Sequence, residues 1–443
     1  MQEQLSIKNQ FALGLLMLAL FLGAGNLIFP PQLGQDAGSS ILLATLGFLL
    51  TAVGLPLLAI MAISLTKGNM FEMAKRVHPI FSTFFAYAVY LALGPFFGIP
   101  RTSTVTHEIA VAPFLPSHFN HEIALFISTF VFFGLTFWLA LNPLKLIDSI
   151  GKRMMPILLG LIGFMTISTF FLYSFDLVTP ALGTYVQNPF SSGFIEGYLT
   201  MDTIAALVFG IVIMDRLKDL GIHDQKLMRK YTIHSGLIAG AGLSFVYISL
   251  ALLGTISVPI IGRLDNGGQI LSELSFHMYQ YFGLILLAVV ILVACLTTAI
   301  GLVSACSEFF AKRFPQVKYS IFVFILTFSS FLMANLGLNQ LISISLPVLI
   351  FLYPIAIVLI VLTLIDDYFK LKRPVFITSI LITSIFSFID GLEAANIPVS
   401  DAFPFLRKLP LFETGMGWLI PTFFGAVVGF VITTIISKKT KTV

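Results

Sequence analysis

The sequence has 443 residues, of which 57% are hydrophobic and only 10% charged, and its mean hydropathy is +0.98. Soluble domains carry about 25% charged residues, so this composition excludes a soluble globular protein and predicts a membrane protein. The small basic excess, 25 Lys and Arg against 21 Asp and Glu, is typical of loops that face anionic lipid and does not indicate nucleic-acid binding.

About twelve apolar runs are long enough to cross a bilayer core, which requires roughly 20 residues per helix. They are predicted at 11–34, 40–65, 80–110, 122–142, 153–174, 197–215, 232–257, 281–311, 319–336, 339–365, 374–391 and 414–437. The longest polar stretches, 175–196 and 258–280, are interpreted as extracellular connections. Because little chain is left for a soluble domain, residues 1–443 are predicted to form a single all-α polytopic membrane domain.

Basic residues are distributed asymmetrically over the predicted loops. If the N-terminus is cytoplasmic, 21 of the 25 Lys and Arg residues lie on the cytoplasmic side. Of the other four, Arg263, Arg407 and Lys408 lie outside, and Arg101 lies within span 3. The positive-inside rule therefore predicts that both termini are cytoplasmic.

Span 1 is interrupted by the polar and flexible segment Gly23–Asn26. Backbone that is not helical is tolerated in a membrane only where it is buried in protein or lines a cavity. The second half-helix, beginning near Asn26 and Leu27, would present N–H groups and a positive dipole end to a carboxylate. Free carbonyls near Ala19–Leu22 would suit a small cation or an ammonium group. The alternative interpretation is that the glycines mark close helix packing.

Span 6 begins with a polar segment that contains Thr200, Asp202 and Thr203, ahead of the apolar run 204–214. Interrupted helices at corresponding positions in two halves of a chain are typical of inverted-repeat transporters with a midplane site. A carboxylate in mid-membrane is costly, so Asp202 is interpreted as an ion ligand, a proton carrier or a partner of a substrate ammonium group. The alternative is a carboxylate at a helix end that reaches water.

Span 3 contains Arg101, directly after the segment Gly94–Pro100. Arg101 is interpreted as a partner of Asp202 or Glu108, or as a gate of the outer vestibule, and the alternative is a side chain that reaches the outer interface. Aromatic side chains are a further group of candidates, although with 45 Phe in the chain any one of them more often faces lipid or packs in the core. The candidate walls of an apolar pocket are Phe96, Phe97 and Phe209.

Span 8 carries the adjacent threonines Thr297 and Thr298 in its middle. Their hydroxyl oxygens, with the carbonyl of Ala294 one turn earlier, would complete an oxygen shell around an unhydrated cation. The alternative is that each hydroxyl bonds to a carbonyl of the preceding turn, as membrane threonines often do. The two cysteines, Cys295 and Cys306, are interpreted as core thiols because no spacing suggests a zinc site.

Several function classes are excluded by missing motifs. No Gly-rich loop precedes a Lys and a hydroxyl residue, so ATP coupling is not predicted. The pairs His107-Glu108 and His121-Glu122 lack the second histidine of a zinc-protease helix. An intramembrane enzyme that uses Asp202 and a histidine lacks any paired catalytic motif, and a channel would require rings of like residues. The chain is therefore predicted not to be an enzyme.

Three stretches, Phe21–Pro31, Leu93–Thr102 and Thr200–Asp202, resemble the branched-chain amino acid:cation symporter family, the BrnQ-type carriers. The resemblance extends over nearly the whole chain. It implies uptake of leucine, isoleucine and valine across the bacterial cell (inner) membrane, with Na⁺ or H⁺ as the coupling ion and no other cofactor. The implied partners are the amino acid substrate and the lipid bilayer.

More distantly, Gly23–Pro30 and Ala294–Thr298 are similar to the broken helix 1 and to helix 8 of LeuT-type sodium symporters. This similarity implies a five-plus-five inverted repeat over about 8–175 and 195–366, with two extra helices at about 372–438. The implied Na⁺ ligands are the carbonyls of Ala19, Leu22 and Ala294 and the hydroxyls of Thr297 and Thr298.

The similarity also implies a position for the substrate, whose carboxylate would face Gly23, Ala24 and Gly25. Span 6 departs from the LeuT pattern, because Asp202-Thr203 stands where those carriers have apolar and hydroxyl residues. A second Na⁺ site at Asn26 therefore loses support, and Asn26 remains a candidate for substrate binding with Thr200. The alternative function is a proton-coupled carrier of another small hydrophobic amino acid.

Overall fold

The computed structural model describes residues 5–66, 69–116, 118–141, 146–172 and 179–441. These residues form helices and connecting turns, with no strand among them. The helices are α1 Ile7–Phe21, α2 Ala24–Ala37, α3 Ile41–Leu49, α4 Leu55–Leu65, α5 Met70–Lys75, α6 Pro79–Leu91, α7 Gly98–Ala110, α8 His121–Ala140, α9 Leu146–Leu172, α10 Pro189–Glu196, α11 Asp202–Asp219, α12 Gln225–Ile261, α13 Gly267–Arg313, α14 Tyr319–Ala334, α15 Leu338–Phe369, α16 Arg373–Ala394, α17 Val399–Ala402 and α18 Leu419–Lys441.

Each of the twelve predicted spans falls on one or more of these helices. Among the described residues, seven helices are long and apolar enough to cross a membrane, or eight if a bent pair of helices counts as one span. Four further apolar helices are shorter. Large apolar side chains are exposed along α8, α14 and α18, as expected where helices face lipid. Predicted span residues 142, 173 and 174, and the basic residues Lys67 and Lys145, lie outside the described residues.

Span 1 is broken as predicted. Helix α1 ends at Phe21, and the next two residues, Leu22 and Gly23, have an extended backbone. Helix α2 then begins at Ala24, two residues earlier than expected. A short turn at Gly38, with φ of +45°, follows α2. A π-helical turn at Leu50–Gly54 then joins α3 to α4 to complete span 2.

Span 6 is also broken, but it begins earlier than predicted. Its first half is α10 followed by a 3₁₀ turn at Gly197–Thr200, and Met201 then takes a left-handed conformation with φ of +65° before α11 begins. The two halves are bent by 42°. The predicted start at 197 and the interpretation of 175–196 as a plain connection were therefore wrong, because serine, glycine and glutamate residues make α10 too polar for an apolar run.

Two further departures from a plain span concern spans 3 and 8. Span 3 changes from α6 through a π-helical turn at Ala92–Phe96 to α7, with non-helical backbone at Gly94. The stretch predicted as a connection before span 8 is largely helical, since α13 already begins at Gly267 and kinks at Gln280, where φ is +53°. Polar residues in the first three turns of α13 interrupt the apolar run, so the sequence did not predict this part of the helix.

Helices α2 and α12 approach each other closely at two glycines. A Cβ atom on Gly34 would lie 2.0 Å from the Ala251 carbonyl oxygen, and one on Gly254 would lie 2.0 Å from the Pro31 carbonyl oxygen. The hydroxyl of Thr255 donates to the Gly34 carbonyl at 2.9 Å across the same contact. Backbone contact of this kind requires small residues, which is how membrane helices gain packing without a hydrophobic driving force.

We expect Gly254→Ala to destabilise the protein by about 1 to 3 kcal/mol, because the new methyl group has to push α12 away from the α2 backbone. The matched control is Gly134→Ala on α8, where a Cβ meets no described residue within 4 Å. The midpoint of thermal unfolding in detergent measures the effect. Equal midpoints for the two variants would contradict the close contact.

Candidate functional site

A cavity of about 40 Å³ lies where the interrupted helices meet. Its walls come from the break between α1 and α2, from the start of α7, from the break between α10 and α11, and from the middle of α13. The candidate residues that line it are Gly23, Ala24, Gly25, Asn26, Arg101, Thr200, Asp202, Phe209 and Thr298. The fold thus brings together residues that are far apart in the sequence.

Asp202 is the first residue of α11, and its side chain is buried, with 1% exposure. Its carboxylate accepts hydrogen bonds from the Asn26 amide nitrogen at 2.9 and 2.8 Å and from the Tyr247 hydroxyl at 2.5 Å. The hydroxyl of Thr200 accepts a weak bond from the Asp202 backbone N–H at 3.4 Å. The alternative of a carboxylate that reaches water is therefore wrong in this structure.

Asn26 connects the two breaks. Its amide nitrogen donates to Asp202 and also contacts the Tyr247 hydroxyl, and its amide oxygen accepts the backbone N–H of Gly23 at 2.9 Å. In a continuous helix the N–H of Gly23 would bond to the Ala19 carbonyl, four residues earlier. Because Asn26 takes that N–H, the break of span 1 is fixed by the same side chain that holds Asp202.

Arg101 is buried, with 2% exposure, and does not reach the outer interface. Its guanidinium donates to the Leu199 carbonyl at 2.5 Å and to the Ser345 hydroxyl at 3.0 Å, and it stacks over the Phe29 ring at 5.0 Å. Within the described part of the chain it forms no ion pair with the predicted partners Asp202 and Glu108. The guanidinium is instead directed to the Leu199 carbonyl at the end of the first half of span 6, where a helix end carries negative partial charge.

The end of α2 that faces the cavity is well placed for an anion. A Cβ atom on Gly25 would lie 3.4 Å from an Arg101 guanidinium nitrogen and 3.3 Å from the Leu199 carbonyl oxygen, so only a hydrogen fits comfortably there. The Nε atom of Arg101 is buried and has no hydrogen-bond partner among the described residues. A helix N-terminus beside a buried guanidinium can bind a carboxylate through charge-assisted hydrogen bonds.

The threonine pair of span 8 lies beside the break of span 1. The methyl group of Thr298 lies 3.3 Å from the position that a Cβ on Gly23 would take. The hydroxyls of Thr297 and Thr298 donate to the Ala294 carbonyl at 2.9 and 3.0 Å, which is the back-bonded geometry of the alternative interpretation. A hydroxyl that donates its hydrogen keeps its oxygen lone pairs, so both oxygens can still accept or coordinate.

Some candidate residues lie outside the cavity wall. The Phe96 side chain is 44% exposed, and the buried Phe97 does not line the cavity. The hydroxyl of Thr203 is directed to the Thr51 carbonyl at 3.4 Å, which joins α11 to the π-helical turn of span 2. The remaining cation-ligand candidates, which are also absent from the wall, are Ala19, Leu22, Ala294 and Thr297.

Sequence reasoning missed Tyr247, which lies in α12 and is fully buried. Its ring packs edge-on against Phe48 at 5.2 Å, and its hydroxyl is directed at Asp202. Tyr247 is one of the twelve tyrosines of the chain, and no motif marks its position in the apolar sequence of α12. The available signal was indirect, because a buried carboxylate requires donors from a neighbouring helix.

The described residues contain no group of three or more His, Cys, Asp or Glu side chains that could hold a metal ion. The oxygen atoms near the cavity are instead carbonyls, hydroxyls and a single carboxylate, which is the ligand chemistry of Na⁺ and of an amino acid ammonium group. The arrangement can therefore pair with both ends of an amino acid, but it offers no nucleophile and base pair for covalent chemistry.

Comparison with known proteins identifies relatives along the entire chain. A family model described as branched-chain amino acid transport protein matches residues 6–436. The branched-chain amino acid permease BraB of Bacillus subtilis is 44% identical over 442 residues, which cover 99% of this chain and 98% of that protein. The branched-chain amino acid transport system 2 carrier protein of Pseudomonas aeruginosa is 42% identical over 434 residues, with 98% of each chain covered.

Among solved structures, the inward-facing conformation of Mhp1 is similar, with a TM-score of 0.59 at 17% identity and coverage of 93% of this chain and 94% of that chain. Mhp1 is a LeuT-fold transporter. This likeness confirms the predicted fold class, a LeuT-type polytopic α-helical membrane protein with broken helices 1 and 6.

We expect Asn26→Ala to destabilise the protein by about 2 to 3 kcal/mol, because the Asp202 carboxylate and the Gly23 N–H would lose their partner in a buried site. Asn9→Ala is the control, since Asn9 is exposed at the start of α1. Thermal unfolding in detergent measures both variants. A loss no larger than that of the control would mean that the Asn26 side chain does not hold the two breaks together.

Proposed function

Since the chain belongs to the branched-chain amino acid transport protein family, we propose that it imports leucine, isoleucine and valine in symport with a cation, in the first place Na⁺. The family and the similar proteins are transporters, so the chain is not an enzyme. The relatives are named as permeases or carriers of branched-chain amino acids. The choice of coupling ion rests on the residues around the cavity.

The observation that carries the proposal is the meeting of two broken helices at one buried cavity. The N-terminal end of α2 and the Arg101 guanidinium would receive the substrate carboxylate at Gly23, Ala24 and Gly25. The Asp202 carboxylate and the Thr200 end of the 3₁₀ turn would face the ammonium group. Opposite charges on the wall of one small cavity match a zwitterion and select against a simple carboxylic acid or amine.

Apolar groups form much of the remaining wall and would accept the substrate side chain. They come from the end of α1, the π-helical turn before α7, the break and first turns of span 6, and α13. The members are Leu20, Phe21, Leu93, Met201, Ala205, Phe209 and Leu302. A branched aliphatic chain would gain about 25 cal/mol for each Å² of apolar surface that it removes from water here.

The proposed Na⁺ site lies between α1 and α13. Its ligands would be the carbonyls of Ala19, Leu22 and Ala294 and the hydroxyls of Thr297 and Thr298. The Ala19 carbonyl lacks its usual helical donor, because the Gly23 N–H is taken by Asn26. A cation at this position would hold α1 against α13 and so favour one side of an alternating-access equilibrium.

Proton coupling is the second candidate, and the position of Asp202 favours it. The Asp202 carboxylate is buried, adjoins the cavity and is held by donors that can rearrange. A carboxylate with these properties can carry a proton in place of a sodium ion. The alternative substrate is then another small hydrophobic amino acid.

We further propose the internal organisation and orientation expected from the sequence. Two inverted repeats at about 8–175 and 195–366 would enclose the site, with the two extra helices at about 372–438. The chain would lie in the bacterial inner membrane with both termini in the cytoplasm.

In proteoliposomes, we expect an inward Na⁺ gradient to drive uptake of radiolabelled leucine, with competition by unlabelled isoleucine and valine. A proton gradient imposed alone, with equal Na⁺ concentrations on both sides of the membrane, would give leucine uptake close to that measured without any gradient. Proton-driven uptake would transfer the coupling role to Asp202. Absence of leucine uptake under either gradient would contradict the proposed substrate.

We expect Thr297→Ala and Thr298→Ala each to raise the Na⁺ concentration for half-maximal uptake by about tenfold, because each removes one oxygen ligand. Thr327→Ala on α14 is the matched control, since its hydroxyl bonds to the Val323 carbonyl one turn earlier in the same way. Uptake measured over a Na⁺ series distinguishes the variants. An unchanged Na⁺ dependence in both site variants would eliminate this site.

A further inference from the structure

A basic cavity of about 350 Å³ lies away from the transport site, between α5, the start of α6, the end of α15 and the start of α16. We propose that it binds the phosphate headgroup of an anionic phospholipid. The charged side chains that line it are Lys75, Arg76, Arg373 and Asp366, so three positive charges face one negative charge. The proposal is independent of the coupling ion and of the substrate.

The charges in this cavity are only partly compensated. Arg76 forms an ion pair with Asp366 and stacks over the Phe376 ring at 5.8 Å. Lys75 pairs at 2.6 Å with Glu72, and both side chains are exposed to solvent, where such a pair is weak.

Arg373 donates from Nε to the Val77 carbonyl at 3.1 Å and forms no ion pair within the described residues. A phosphate would supply the missing negative charge and accept hydrogen bonds from the remaining guanidinium donors of Arg373.

The helix ends around the cavity indicate the depth of lipid headgroups. Helices α6 and α16 begin at its rim, and α15 ends beside it with Tyr368 and Phe369, whose side chains are 74% and 76% exposed. Exposed tyrosines at helix ends, such as Tyr368, are typical of the membrane interface. The side is the one that the basic loops predict to be cytoplasmic, where membranes carry anionic lipid.

Exposed apolar side chains follow the cavity-lining Pro79 along α6. Pro79 lines the cavity, and Ile80 and Phe84 follow one turn apart on α6 with strongly exposed side chains. Residues four apart lie on the same face of a helix, so the two form a strip that an acyl chain can follow. A soluble phosphate would use the charges alone, whereas a phospholipid uses the charges and the strip. The combination favours the lipid.

The test uses the full-length protein in nanodiscs of phosphatidylcholine with a small fraction of spin-labelled phosphatidylglycerol or spin-labelled phosphatidylcholine. For the wild type, we expect phosphatidylglycerol to be immobilised with about tenfold higher affinity than phosphatidylcholine. The double variant Lys75→Gln, Arg373→Gln is expected to reduce this preference to about twofold or less. Arg373→Lys, which keeps the charge, is expected to retain most of it.

The matched control is the double variant Lys312→Gln, Arg313→Gln at the end of α13, which removes the same charge on the same predicted side. We expect it to keep the wild-type preference. An equal loss in this control would assign the effect to general surface charge and overturn the site, as would a wild-type preference in the Lys75 and Arg373 variant. Displacement of phosphatidylglycerol by millimolar inorganic phosphate would assign the site to a soluble phosphate and overturn the lipid.

Discussion

The carboxylate of Asp202 is the group on which the geometry of the two broken helices depends. It lies buried at the start of α11 and is held by the Asn26 amide of α2 and the Tyr247 hydroxyl of α12. A carboxylate removed from water is stable only when it is fully hydrogen-bonded or paired. As long as it is ionised, α2, α11 and α12 therefore have to remain within hydrogen-bonding distance.

A second link, centred on Arg101, completes the frame around the cavity. It joins α7 to the Leu199 carbonyl in the first half of span 6 and to Ser345 on α15. Each link has a hydrogen-bonded group at a helix break, Asp202 and Asn26 in the first and the Leu199 carbonyl in the second, so a charged substrate can exchange with these hydrogen bonds. This property suits a carrier, because alternating access requires the helices around the site to have two arrangements of similar free energy.

Which parts of the fold and site can be predicted from the sequence depends on whether they leave a local pattern in the chain. The break in span 1 was predictable because Gly23–Asn26 interrupts an apolar run, and a buried Asp202 was predictable from the cost of charge in a membrane. The start of α10 and the first turns of α13 were not, because their polar residues resemble a loop. Tyr247 and the Leu199 partner of Arg101 depend on three-dimensional helix packing, which leaves no local pattern in the chain.

The most direct test of the link through Asp202 is a double-mutant cycle of Asp202→Asn and Tyr247→Phe, measured as changes in the thermal unfolding midpoint in detergent. If the hydroxyl acts through the carboxylate, the double variant loses clearly less stability than the sum of the two single losses, with a coupling of about 0.5 to 3 kcal/mol. Additive losses would contradict the link and would leave the position of Tyr247 to packing against Phe48 alone.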